Sequence, residues 1–207
     1  GMILNQPLLV TPDYAETLCA VLGDRIGVDA GGLVAQNKEA RPSEPNMASG
    51  DTLIIPVIGS MSHRSTGLEA MSGMTSYTAL QQTVESAMND KSVRAIMFDY
   101  DTPGGMVAGA FDFRDYLMEQ RGRKPMYAIA RDGMASAGYL LGSTADKVYA
   151  TQTAGIGSIG VVLAHVDKTK ANEMAGLKPT FIQAGAMKTA GSPHEALDGE
   201  ALEYLQD

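Results

Sequence analysis

The chain has 207 residues, 16 Lys and Arg against 24 Asp and Glu, and a formal net charge of −8. That length bounds one core domain with a short appendage, and the acidic balance argues against nucleic-acid binding, which needs clustered basic residues. The single cysteine, Cys19, excludes an intramolecular disulfide, CxxC redox chemistry and a cysteine-rich zinc site, and no apolar run is long enough for a transmembrane helix.

The first 51 residues read as an N-terminal helical arm followed by a polar linker. Thr11 and Pro12 open a helix over 11–22 with Leu18, Val21 and Leu22 as its apolar stripe, and the polar stretch 36–51 carries two prolines. The main body, residues 52–207, starts with TLIIPVIG, too short for a helix and apolar enough for a buried strand. A methionine-bearing loop over 60–75 follows, then a helix over 76–90 with Leu80, Val84 and Met88 four apart. Next come a strand over 93–100, a turn at 101–105 (DTPGG), a helix over 107–121 and a strand over 126–130. A short helix over 135–145 and a strand over 147–151 lead to the glycine-rich turn GIGSIG at 155–160. Strands over 161–165 and 179–183, a helix over 167–176 and a final helix from 194 complete the pattern. Strand and helix alternate, so an α/β fold with parallel pairing is expected. The last helix reaches Asp207 without a stop signal, and the domain is expected to be truncated at its C-terminus.

GIGSIG matches GxGxxG literally, but a β-branched, strand-like stretch follows it, and no acidic residue ends a strand at the expected place. A tight turn is the simpler reading. His63, His165 and His194 have no metal-ligand spacing, and spacing alone leaves a Ser-His-Asp triad open. The two glycines after Pro103 leave backbone N–H groups unobstructed, which suits either an oxyanion hole or an ordinary turn. Ser136 stands among small residues where a helix begins; it is either a nucleophile or an N-cap, and it lacks the GxSxG elbow because Met134 replaces the first glycine. Lys188 stands among Ile182, Ala184, Ala186, Met187 and Ala190. A lysine desolvated in such company is poised to be a neutral base; the alternative is an exposed loop lysine.

DTPGG, ASAGYLLGSTAD, GSIGV and GAMKTAGSP occur in one order. Together they resemble the signal peptide peptidase A family of Ser-Lys serine proteases. DTPGGMVAGAFD (101–112), TQTAGIGSIGVVLAH (151–165) and NQPLLVTPDYAETLCAVL resemble its lambda-type phage capsid protease branch. The resemblance implies a ClpP/crotonase-like spiral of ββα units with a short N-terminal helical arm. It implies Ser136 as nucleophile, Lys188 as general base, and Gly105 with Ala137 or Ser136's own amide as the oxyanion hole. It gives Gly104 a supporting place in the turn, the strand edge at Met106 and Val107 to the substrate, and Ser158 the orienting of Lys188. It also implies ring-shaped homo-oligomers, often octamers, that cut scaffold and other capsid proteins within the assembling prohead in the bacterial cytoplasm, without cofactor, metal, nucleic acid or membrane. Three other readings stand beside it. One is a bacterial signal-peptide or membrane-protein fragment peptidase; the others are a non-catalytic protein and an acyl-CoA-binding protein of the same fold.

Overall fold

A computed structural model describes residues 8–10 (backbone), 46–64 and 74–207. The helix expected over 11–22 lies outside the described residues. The chain packs as two units, Pro7–Val162 and Leu163–Asp207.

In the first unit the described elements are β1 (Leu8–Val10), β2 (Met47–Ser49), β3 (Thr52–Ile58), β4 (Met61–Ser62), β5 (Thr75–Ser76), α1 (Tyr77–Asn89), β6 (Ala95–Thr102), β7 (Gly104–Met106), α2 (Ala110–Gln120), β8 (Met126–Ala135), α3 (Ala137–Gly142), β9 (Lys147–Ala150) and β10 (Gly155–Gly157). The larger sheet runs β10-β8-β6-β3-β2, with β9 also on β8. Its pairs are parallel except for the antiparallel β2–β3. The smaller sheet runs β1-β7-β4-β5. Twice a long strand of the larger sheet is followed by short strands of the smaller one and then a helix: β3, β4, β5, α1 and β6, β7, α2. The expected α/β class and its ββα units are thus present.

The sequence dictates this through alternation. In β6, Ile96, Phe98, Tyr100 and Thr102 are buried while the residues between them are half-exposed, the period-two pattern of a sheet with one fully covered face. Met126, Ala128 and Ala130 extend that face on β8, and Ile55 and Val57 on β3. Against it pack Leu80, Val84, Ala87 and Met88 of α1 and Phe113 and Leu117 of α2. Fully burying a side chain such as Leu117 contributes roughly 1.5–3 kcal/mol. The Ser76 hydroxyl caps α1 by accepting from the Ala79 N–H. Gly109 starts α2 at φ 81°, and a Cβ there would lie 2.5 Å from the His63 ring.

Several expected boundaries shift. The polar linker contains a strand, β2, that closes the open edge of β3. DTPGG is more than a turn: β6 runs on to Thr102, Pro103 interrupts the ladder because it has no N–H, and the chain re-enters a sheet at Gly104. Residues 155–157 of GIGSIG form a strand, parallel to Gly133–Ala135. Residues 161–165 form no continuous strand: Val162 makes a single bridge, and Val161 is 55% exposed.

In the second unit, α4 (Thr169–Met174) and α5 (Gly199–Gln206) are joined by turns. Residues 179–183, expected as a strand, form none, with Ile182 fully exposed, and the last helix begins at Gly199 behind its Asp198 cap. Among the described residues no helix is long and apolar enough to cross a membrane, and no group of three or more His, Cys, Asp or Glu is placed to hold a metal ion.

Candidate active site

β8 ends at Ala135 and α3 starts at Ala137, so Ser136 is the single residue on which a strand turns into a helix. Its backbone sits at φ 52°, ψ −113°, a region that residues with a Cβ rarely adopt. It is 3% exposed, and its side chain makes no capping bond to α3. The hydroxyl donates to the Gly160 carbonyl at 3.4 Å, a long and weak contact, while the Ser136 N–H donates to the Gly157 carbonyl at 2.7 Å. The structural N-cap role is therefore not what this serine does.

α3 can approach closely because Gly138 and Gly142 carry no side chain. A Cβ on Gly138 would stand 2.5 Å from the Thr102 methyl group, and one on Gly142 would meet the Met134 sulfur at 2.3 Å. Thr102, 2% exposed, links this helix to the glycine turn. Its hydroxyl donates to the Gly59 carbonyl at 2.6 Å and accepts from the Gly104 N–H at 3.1 Å. No motif argument singled it out, because its partners lie 43 residues upstream and 2 residues downstream and only the fold brings them together. Thr102→Val keeps the shape and removes the hydroxyl, leaving a buried N–H and a carbonyl without that partner. A loss of about 1–3 kcal/mol is expected in denaturant unfolding, and an unchanged midpoint would refute the bridging role.

Gly104, at φ 113°, and Gly105 begin β7. Gly105 pairs with Met61 of β4 on one side and with Leu9 of β1 on the other. There is no space for a side chain: a Cβ on Gly105 would lie 2.3 Å from the Met61 carbonyl oxygen. Met61, on the strand beside β7, is fully buried. The Met106 carbonyl accepts from the Tyr77 hydroxyl at 2.9 Å, fastening β7 to the first residue of α1. Burial pushes the Tyr77 hydroxyl well above its ordinary pKa, so it stays a donor. Val107 follows half-exposed and packs against the core.

β10 brings Ile156 level with Met134 and Gly157 level with Ala135. Ser158, exposed and at φ 52°, follows. A cavity of about 390 Å³ opens here, lined by Asp101, Pro103, Gly133, Ala135, Ile156 and Ser158, among others.

Lys188 belongs to the second unit and lies exposed in consecutive turns. Its N–H donates to Gly185, the Ala190 N–H to Met187 and the Ser192 N–H to Thr189, with Gly185 and Gly191 at positive φ. The small apolar neighbours do not bury it; its surroundings are those of the exposed loop lysine that the sequence left open. The histidines have structural partners. His165 Nε2 donates to the Ser192 carbonyl at 3.0 Å, His194 Nδ1 meets the Asn172 amide at 2.9 Å, and the His63 carbonyl accepts from Thr78.

Residues 118–207 match peptidase family S49. The chain is 36% identical over 98% of its length to the Head-tail preconnector protein GP5 of Enterobacteria phage P21, covering 44% of that protein. It is 35% identical over its whole length to the Capsid assembly protease C of Escherichia phage lambda, covering 51% of it. The chain thus carries a peptidase family S49 domain over residues 118–207. Its similarity runs to the phage head proteins, and it spans about half the length of those two relatives. Solved structures that match in part include an enoyl-CoA hydratase/isomerase family protein from Silicibacter pomeroyi (TM-score 0.41, 20% identity, 54% of this chain and 52% of that one). Another is the 1510-N membrane-bound stomatin-specific protease with a substrate peptide (TM-score 0.43, 17% identity, 57% of this chain and 49% of that one).

Proposed function

We propose that the chain is the peptidase portion of a phage head-maturation protease, with Ser136 as nucleophile and Lys188 as general base. The backbone of Ser136 carries this reading: a buried, non-glycine residue held at φ 52° with its hydroxyl released from capping. Strain of this kind costs on the order of 1–3 kcal/mol and persists where function requires it.

In the proposed reaction an extended segment of protein lies along β7 through main-chain hydrogen bonds, with Met106 and Val107 continuing that edge. Lys188 accepts the Ser136 hydroxyl proton as Oγ attacks the carbonyl carbon. The N–H groups of Gly105 and Ala137 hold the resulting oxyanion. Ser136's own N–H is engaged by Gly157, which favours Ala137, the first residue of α3, as the second donor. Lys188 then passes the proton to the leaving amine. A water, deprotonated by the same lysine, hydrolyses the acyl-enzyme. Gly104 shapes the turn and Ser158 orients the lysine. The substrates are scaffold and other capsid proteins, the setting is the assembling prohead in the bacterial cytoplasm, and the active form is a ring-shaped homo-oligomer. The reading involves no cofactor, metal, membrane or nucleic acid. Similarity to a protein named Capsid assembly protease C supports it.

The test is cleavage of purified scaffold protein by Lys188→Ala. A loss of at least a hundredfold is expected, and full cleavage would overturn the dyad.

A further inference from the structure

We propose that the N-terminal strand Leu8–Val10 is a built-in competitor for the peptide edge of β7, which an extended substrate gains only by displacing it. The inference rests on the reading of Ser136 as a peptidase centre. β7 has two edges. One is taken by β4, where Met61 lies level with Gly105. The other is taken by β1, antiparallel, with Leu8 opposite Met106, Leu9 opposite Gly105 and Val10 opposite Gly104.

This second edge belongs to the strand that leaves the glycine turn, where a peptide approaching Ser136 would add. Each outward N–H and C=O of β7 serves one partner strand at a time, so β1 and a substrate exclude one another. The edge at β4 cannot substitute, because β4 is fixed between β7 and β5. The occupant is well suited to leave. It is three residues long, so few ladder bonds hold it. It is tethered to the same chain, so it returns whenever the substrate departs, at an effective concentration on the order of millimolar. An intramolecular occupant of this kind raises the apparent KM and leaves kcat unchanged, because it is absent from the productive complex.

Successive residues of a strand direct their N–H groups to opposite sides, so one of Leu9 and Val10 donates towards β7. Leu9→Pro/Val10→Pro in the full chain removes that donor, and Leu9→Ala/Val10→Ala, which keeps both N–H groups, is the control. A fluorescent peptide copying residues 5–13 is the binding probe. We expect it to bind the proline variant roughly tenfold tighter than the wild type, with the alanine variant close to wild type. Amide hydrogen exchange at 104–106 should be faster in the unliganded proline variant and slow again when the peptide is added. With scaffold protein, KM should fall roughly three- to tenfold at constant kcat. Equal peptide affinity and equal exchange in wild type and proline variant, with both folded by thermal melting, would overturn the proposal. If peptide affinity and exchange change as expected while none of the three forms cleaves scaffold, the competitor stands and the peptidase reading fails.

Discussion

Ser136→Ala is expected to leave the fold intact and reduce scaffold cleavage by at least a thousandfold. Removing the nucleophile of a serine hydrolase leaves only substrate binding and the oxyanion donors. The backbone makes a second, sharper expectation possible. At φ 52°, ψ −113° both serine and alanine carry a Cβ in a region that costs on the order of 1–3 kcal/mol, whereas glycine enters it freely. Glycine loses about 0.5–1 kcal/mol through the greater freedom of its unfolded chain. Ser136→Gly should therefore be as inactive as Ser136→Ala and more stable than it by about 1 kcal/mol in denaturant unfolding. A glycine variant less stable than the alanine one would mean that the strain is not real, and the strongest support for Ser136 as a nucleophile would go with it.

Gly105→Ala is expected to damage both stability and rate. The added Cβ would lie 2.3 Å from the Met61 carbonyl oxygen and 2.6 Å from the Met61 Cβ. Neither is the free end of a side chain, so β7 must move away from β4. Overpacking of this kind costs about 1–3 kcal/mol or more. The displacement also carries the Gly105 N–H away from the proposed oxyanion, and loss of one such donor typically lowers kcat by about 10²–10³-fold. Gly155→Ala supplies the contrast: no atom outside its own chain neighbours lies within 4 Å of its Cβ position, so its stability should stay within about 0.5 kcal/mol of wild type. Equal unfolding midpoints for these two alanine variants would refute the packing argument.

The parts of this fold legible from the sequence are those whose partners are implied by their own pattern. The alternation in β6 and the i, i+4 spacing in α1 specify a buried face wherever the rest of the chain lies. The elements that differ from expectation depend on a neighbour. Residues 161–165 and 179–183 have strand-forming side chains but form no strand beyond a single bridge at Val162, whereas the glycines at 155 and 157 become a strand because β8 extends past Ala130 and offers an edge. The chemistry divides in the same way. Ser136, Gly105 and Lys188 were approached through motif resemblance, since a serine gives no local sign that its backbone will be held at positive φ. Thr102 was hidden because its hydroxyl joins Gly59 to Gly104 across two sheets. The exposure of Lys188 could not be read from its apolar neighbours in sequence, because burial depends on what packs over a turn and not on what flanks it.

The Tyr77 clamp on β7 sets the alkaline limit within which all these rate measurements can be interpreted. Burial raises the hydroxyl pKa of Tyr77, and that of the fully buried Tyr100, above the usual tyrosine value near 10. A raised pKa means that the folded chain keeps a proton which the unfolded chain releases. The associated stability is complete below about pH 10 and is lost as pH rises from there towards the folded-state values. Below pH 10 a change in cleavage rate therefore belongs to other ionisations. Above it, any fall in rate should coincide with a falling melting temperature, the mark of a sheet coming loose rather than of a base being titrated.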